Sequence, residues 1–130
     1  MTLRPLLAGA FLAACVAAPA FAQSDAEPDP AMVAQGETVF THNCGACHTL
    51  DTSKNAFGPS LIDVYEREAG TVPRFAYSDA MRDSTLSWTE DNLRLWITNN
   101  EALIPGTRMR HVSITDAATQ DYLIAFLKSL

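Results

Sequence analysis

The run Cys44-Gly45-Ala46-Cys47-His48 constrains this chain more than any other feature. Two thiols three positions apart, followed at once by an imidazole, form the C-x-x-C-H pattern of a c-type haem attachment site. On a helical turn both thiols can add to the vinyl groups along one porphyrin edge, and His48 then offers its imidazole to the iron. Gly45 and Ala46 are small and let the backbone lie close to such a ring. Three other uses of the pattern compete with this one. A dithiol redox site sits beside a βαβ unit, and no such pattern surrounds these residues. A Cys44–Cys47 disulfide would close a very small loop and add little stability. Zinc needs four ligands, which His42 or His111 could complete. A tetrahedral site, however, leaves the long irregular stretch downstream without an organiser.

The third cysteine, Cys15, falls in a segment that reads as an export signal over residues 1–22. Arg4 supplies the positive start, Leu6 to Ala18 the apolar run, and Ala20-Phe21-Ala22 the small-x-small cleavage pattern. The run is too short for a comfortable membrane span. Leu12-Ala13-Ala14-Cys15 also resembles a lipoprotein processing box, which would make Cys15 a lipidated N-terminus, but Val16 to Ala22 stays apolar where such proteins turn polar. Both routes lead out of the cytoplasm, and the periplasm is the expected compartment. Residues 23–30 form a polar lead-in, and residues 31–130 a single domain without internal repeats.

Composition agrees with one folded unit. Hydrophobic residues make up 48% of the 130 and charged residues 18%, which is too apolar for intrinsic disorder. Fifteen acidic residues against nine Lys and Arg give a formal charge of −6, with no basic cluster to meet a phosphate backbone. Nucleic acid is therefore excluded as a partner.

Three helices are predicted. Met32, Val33, Gly36, Val39 and Phe40 recur at helical spacing after the start signals Asp29 and Pro30. A second helix opens at Thr89 with Glu90 and Asp91 complementing its dipole, carries Leu93, Trp96 and Ile97 on one face, and ends at Asn99-Asn100. A third runs from Thr115 to Leu130 and buries Leu123, Phe126, Leu127 and Leu130. The stretch 51–88 reads as loop, with a short helix over 60–66. So long an irregular stretch points to a large cofactor serving as core.

A haem held by His48 needs a ligand on its other face. Met32, Met81, Met109, His42 and His111 are the candidates. Met109 follows a Pro105-Gly106 turn that can aim a thioether inward, and it lies far enough along the chain to wrap round the ring. The lone-Met default is core filler, yet Met109 stands between Arg108 and Arg110, not on an apolar face. His111, two residues on, competes through bis-histidine ligation. His42 reads as a solvated helix residue and Met32 as packed on its own helix.

Taken together, these residues resemble a class I c-type cytochrome of the small mitochondrial and bacterial type. The resemblance runs from Gly36 to Leu130 and is carried by the haem motif, Gly58-Pro59-Ser60-Leu61, Phe75 to Ala80, and Ile104 to Met109. It implies an all-α cytochrome c fold. The N- and C-terminal helices cross at Gly36, Phe40 and Phe126, a third helix precedes the methionine loop, and long loops wrap one covalent haem c and its iron. It implies axial ligation by His48 and Met109, with the Pro59 carbonyl receiving the His48 ring N–H. It implies, too, that Arg67, Tyr77 and Trp88 hydrogen-bond the haem propionates. Core packing is the plain alternative for Tyr77 and Trp88, and pairing with Glu66 or Glu68 the alternative for Arg67.

The chain departs from the family pattern in several places. Trp96 stands where a tyrosine usually bonds the methionine sulfur, Met81 where an asparagine is expected, and His111 where an aromatic residue shields the haem edge. Asn43, Glu101 and Ala102 replace lysines of the family's basic collar, where only Arg108 keeps a positive charge. The implied activity is one-electron transfer between redox protein partners by a monomeric carrier that is no integral membrane protein. No catalytic residue is expected; Asp63, Glu90 and Asp91 read as solvated or capping carboxylates. Two other classes share the motif: an electron-accepting subunit of a periplasmic dehydrogenase, and a haem sensor or peroxidase-like protein with a labile sixth ligand.

Overall fold

Helix α1 (Pro30–Asn43) begins where proline is tolerated. Pro30 occupies the first turn, and the Asp29 carboxylate caps it by accepting from the Ala31 amide at 2.8 Å. The computed structural model describes residues 27–130, so the expected export signal, the Cys15 alternative and the first half of the lead-in lie outside the described residues. Three further helices follow: α2 (Asp79–Arg82), α3 (Glu90–Leu103) and α4 (Ala117–Lys128). The β-structure among the described residues is one isolated antiparallel bridge, Glu68 with Ser87.

Helices α1 and α4 cross at Gly36. A Cβ there would run into the Tyr122 carbonyl and stand 2.6 Å from Phe126 Cβ, so only glycine permits this approach. Beside the crossing, the Phe40 and Phe126 rings pack with centroids 5.3 Å apart. The core continues from there through Leu123, Ile124 and Leu127 to Leu93, Trp96 and Ile97 of α3, the face predicted for that helix.

The boundaries differ from prediction for local reasons. Asp116, not Thr115, caps α4, because its carboxylate accepts from the Thr119 amide at 2.8 Å. Helix α3 does not stop at Asn99-Asn100. Asn99 leaves helical geometry at φ −158°, ψ 92°, and its side chain then accepts from the Ala102 amide at 3.0 Å, starting one more turn that reaches Leu103. The short helix predicted over 60–66 is absent: Asp63 and Glu66 take φ of 53° and 61°, left-handed values that break a helix, and the segment forms turns. The single turn of α2 was not foreseen; Ser78 caps it.

Charged side chains fasten α3 to α4. Arg94 bridges Glu90 at 3.0 Å and Asp121 at 2.8 Å, while Lys128 reaches Glu90 at 2.5 Å and lies over the Tyr65 ring. Glu90 therefore joins two helices as well as complementing a helix dipole.

Candidate functional site

The Cys-x-x-Cys-His segment grows directly out of α1. The Cys44 and Gly45 amides both bond the Phe40 carbonyl, at 2.8 and 2.9 Å, and the Cys47 and His48 amides both bond the Cys44 carbonyl, at 3.0 and 2.9 Å. Both cysteines are free and half-buried. Burial, with the neighbouring Cys47 adding to it, pushes the Cys44 thiol up to about 11. An attacking thiol in a dithiol site needs the opposite shift, so the burial of Cys44 gives the redox-dithiol alternative no support.

His48 is held from two sides. Its Nδ1 lies 2.8 Å from the Pro59 carbonyl oxygen. A carbonyl only accepts, so Nδ1 carries the proton and Nε2 keeps a free lone pair. Burial holds the imidazole below its usual range, against the opposing pull of the Pro59 bond, and keeps the ring neutral. Gly58 backs the same ring: a Cβ there would come within 2.7 Å of Cε1 and 2.9 Å of Nδ1. The Gly58 amide bonds the Cys47 carbonyl at 2.7 Å, tying this support to the cysteine turn.

The competing ligands are engaged elsewhere. His42 is exposed, with Nδ1 2.8 Å from the Thr38 carbonyl of its own helix. His111 turns its ring nitrogens toward the Val112 and Trp96 carbonyls, at 2.8 and 3.1 Å. Among the described residues no three His, Cys, Asp or Glu side chains gather as a metal site, which leaves the zinc alternative without its ligand set. Met81 is buried in the core, and Met32 lines a cleft with Ile124, Ala125 and Lys128 of α4, so it does not simply pack on its own helix. Met109 is half-buried against the core at the end of a tight loop. Gly106 takes φ 87° in that loop, and buried Thr107 closes it by donating its amide to the Ile104 carbonyl at 3.1 Å.

Arg67 and Trp88 are brought side by side by the isolated bridge. The Trp88 amide bonds the Arg67 carbonyl at 2.9 Å and the Glu66 amide bonds the Trp88 carbonyl at 3.1 Å. The Arg67 guanidinium forms no ion pair with Glu66 or Glu68 among the described residues. It turns inward instead and donates to the Ile62 and Ser60 carbonyls at 2.7 and 3.3 Å. Its Nε–H is buried without a partner. Burial works against its charge, while Tyr77 and Asp63 nearby favour it; burial likewise raises the Tyr77 phenol. A buried cationic donor with no acceptor is a place for an anion. The Trp88 and Trp96 rings meet edge to face at 5.1 Å, and no hydrogen bond links Trp96 to Met109 among the described residues.

The arrangement thus offers two free thiols, an imidazole with one free nitrogen, a thioether and an unpaired buried guanidinium N–H. That donor set suits a covalently attached, anionic iron porphyrin. One polar contact escaped sequence reading: buried Asn100 donates to the Met109 carbonyl at 2.8 Å. Its only sequence signal is the Asn99-Asn100 pair, which reads as a helix stop.

Comparison with known proteins points the same way. The family model described as cytochrome c matches residues 33–130. The chain is 39% identical over 127 residues to cytochrome c2 of Blastochloris viridis, an alignment covering 97% of this chain and 93% of that protein. It is 40% identical over 87 residues to cytochrome c2 iso-2 of Magnetospirillum fulvum, covering 67% of this chain and 91% of the relative. Among solved structures, cytochrome cH from Methylobacterium extorquens superposes with a TM-score of 0.71 at 36% identity, over 75% of this chain and 98% of that one.

Proposed function

The chain belongs to the cytochrome c family, with its class I fold and one covalently bound haem c, and from that premise we propose that it is a periplasmic one-electron carrier with His48 and Met109 as axial iron ligands. Cys44 and Cys47 supply the thioether bonds. When bound, the haem iron supplies a one-electron ferric/ferrous couple. His48 presents Nε2 in a fixed tautomer and orientation, because the Pro59 carbonyl holds Nδ1–H and Gly58 leaves the ring no room on that side. Arg67, through its unpaired Nε–H, with Tyr77 and Trp88, neutralises the propionates in a low dielectric. A thioether ligand and an apolar surround favour the reduced state and raise the potential.

The reading is a carrier and not an enzyme. Residues 1–22 are removed on export, residues 31–130 form the working domain, and the chain acts as a monomer in brief encounters with redox proteins over small interfaces. Among the described residues no helix is long and apolar enough to cross a membrane. With an acidic surface and no lysine collar, the partners differ from those of a basic carrier, and electrostatic steering is weak.

The observation that carries this reading is the His48–Pro59 hydrogen bond, which leaves one imidazole nitrogen free in a segment whose two cysteines are unpaired. The test is the optical spectrum of the matured protein. A covalent haem with the weak far-red sulfur-to-iron band of the ferric form is expected, and the band should vanish in Met109→Ala. A high-spin ferric spectrum in the unaltered protein, or rapid carbon monoxide binding once reduced, would overturn the carrier reading in favour of an open iron site.

A further inference from the structure

The break in α3 at Asn99 has a consequence for the methionine loop. An interrupted helix leaves the carbonyls of its last turn without intrahelical donors. Here the segment just after Met109 meets three consecutive carbonyls: a His111 ring nitrogen lies 3.1 Å from that of Trp96, the Ile114 amide donates to Ile97 at 2.9 Å, and the Ser113 hydroxyl donates to Thr98. On the other side of the break, Asn100 is 8% exposed and its amide nitrogen donates to the Met109 carbonyl at 2.8 Å. Its own carbonyl accepts from the Ile104 amide at 2.9 Å, at the start of the same loop. Asn99 makes this geometry possible by leaving helical φ and ψ and recapping the next turn through Ala102.

A second layer is exposed. The Glu101 carboxylate accepts from the Gly106 amide at 2.9 Å and from Arg110 at 3.4 Å, and Arg110 also donates to the Thr107 and Met109 carbonyls at 2.6 and 2.8 Å. Solvent competes for that outer layer. The Asn100 bond to the Met109 carbonyl is shielded, whereas the Arg110 contact to the same carbonyl is open to solvent, so Asn100 is the firmer of the two holds.

We propose that Asn100 is a positioning residue for Met109: its side-chain amide, aimed by the Asn99 break, holds the Met109 backbone so that the thioether stays on the iron. The inference rests on the reading of Met109 as axial ligand. Asn100 touches neither iron nor porphyrin in this role; it acts through the backbone of the ligand.

The experiment uses the matured, haem-loaded full chain and its Asn100→Leu variant, which keeps the branched shape and removes the donor. Imidazole, an exogenous ligand that must displace the thioether, is the probe. In Asn100→Leu, imidazole should bind the ferric protein about tenfold faster, and the far-red band should disappear at a lower urea concentration than the α-helical signal. In the unaltered protein the two urea transitions should lie closer together. An unchanged imidazole rate with an unchanged band would overturn the role of Asn100 alone. Absence of the far-red band from the unaltered protein would overturn the ligand assignment and this inference with it. Should Asn100→Leu fail to fold, 15N NMR of the unaltered reduced protein decides. One asparagine side-chain amide should exchange slowly and show cross-relaxation to Met109; fast exchange of every asparagine side chain would overturn the proposal.

Discussion

At the scale of single residues, the site depends on atoms that are missing as much as on those present. Gly58 is the clearest case, since a methyl group there would meet the His48 ring at 2.7 to 3.1 Å from three of its atoms. Real Cβ contacts do not come this close, so Gly58→Ala must tilt the imidazole or part it from the Pro59 carbonyl. Either outcome should destabilise the protein by about 1–3 kcal/mol and displace the His48 ring signals in NMR spectra of the reduced form. A urea midpoint equal to that of the unaltered protein would show that the loop yields and the ring does not. His48 and the two cysteines were legible in the sequence because their types and spacing are set by chemistry, while Pro59 was expected only through the family resemblance. Asn100 was not, because one asparagine is an ordinary helix stop until its distance to another backbone is known.

At the scale of elements, α3 and α4 are joined by charges as well as by apolar contacts. The Lys128 hydrogen bond, followed by that of Arg94, holds the Glu90 carboxyl below its ordinary value of 4.5 despite some desolvation. A carboxyl with a lowered folded pKa stabilises the fold above its unfolded value, and that contribution is lost as pH falls through the folded value. The melting temperature should therefore decline from pH 4.5 downward, and Glu90→Gln should flatten part of that decline. The difference between the two proteins near neutral pH should be no more than about 1 kcal/mol, because Glu90 is partly exposed and solvent screens the pair. Equal slopes for the two proteins in acid would refute the link. The charge pattern did not disclose this pairing: Glu90 and Arg94 are neighbours on one helix, but Asp121 and Lys128 reach them only through the packing of another.

At the scale of the whole molecule, the described chain has too little regular structure between α1 and α3 to organise itself. From Cys44 to Thr89 it is held by turns, the single turn of α2 and one isolated bridge, and it buries an arginine N–H with no protein acceptor. On the proposed reading, removing the haem withdraws the apolar surface that would complete this core and the anion proposed for the Arg67 N–H. The Cys44→Ala/Cys47→Ala chain, prepared without haem, should lose its cooperative thermal transition and most of its helical circular dichroism. A sharp transition with native helix content would show instead that the packing of α1, α3 and α4 suffices alone.

The sequence by itself determined the chemistry and the long helices. The C-x-x-C-H run, the Pro-Gly turn before Met109, and the apolar periodicity of α1, α3 and α4 are local patterns, and local patterns are read from residue type and spacing. Only the tertiary structure decided where α3 breaks, that residues 60–66 turn instead of coiling, that Arg67 points inward, and that His111 binds backbone. Each of these depends on which donor meets which acceptor across the fold. Burial makes such meetings compulsory, because a buried polar group must find a partner wherever the chain happens to bring one.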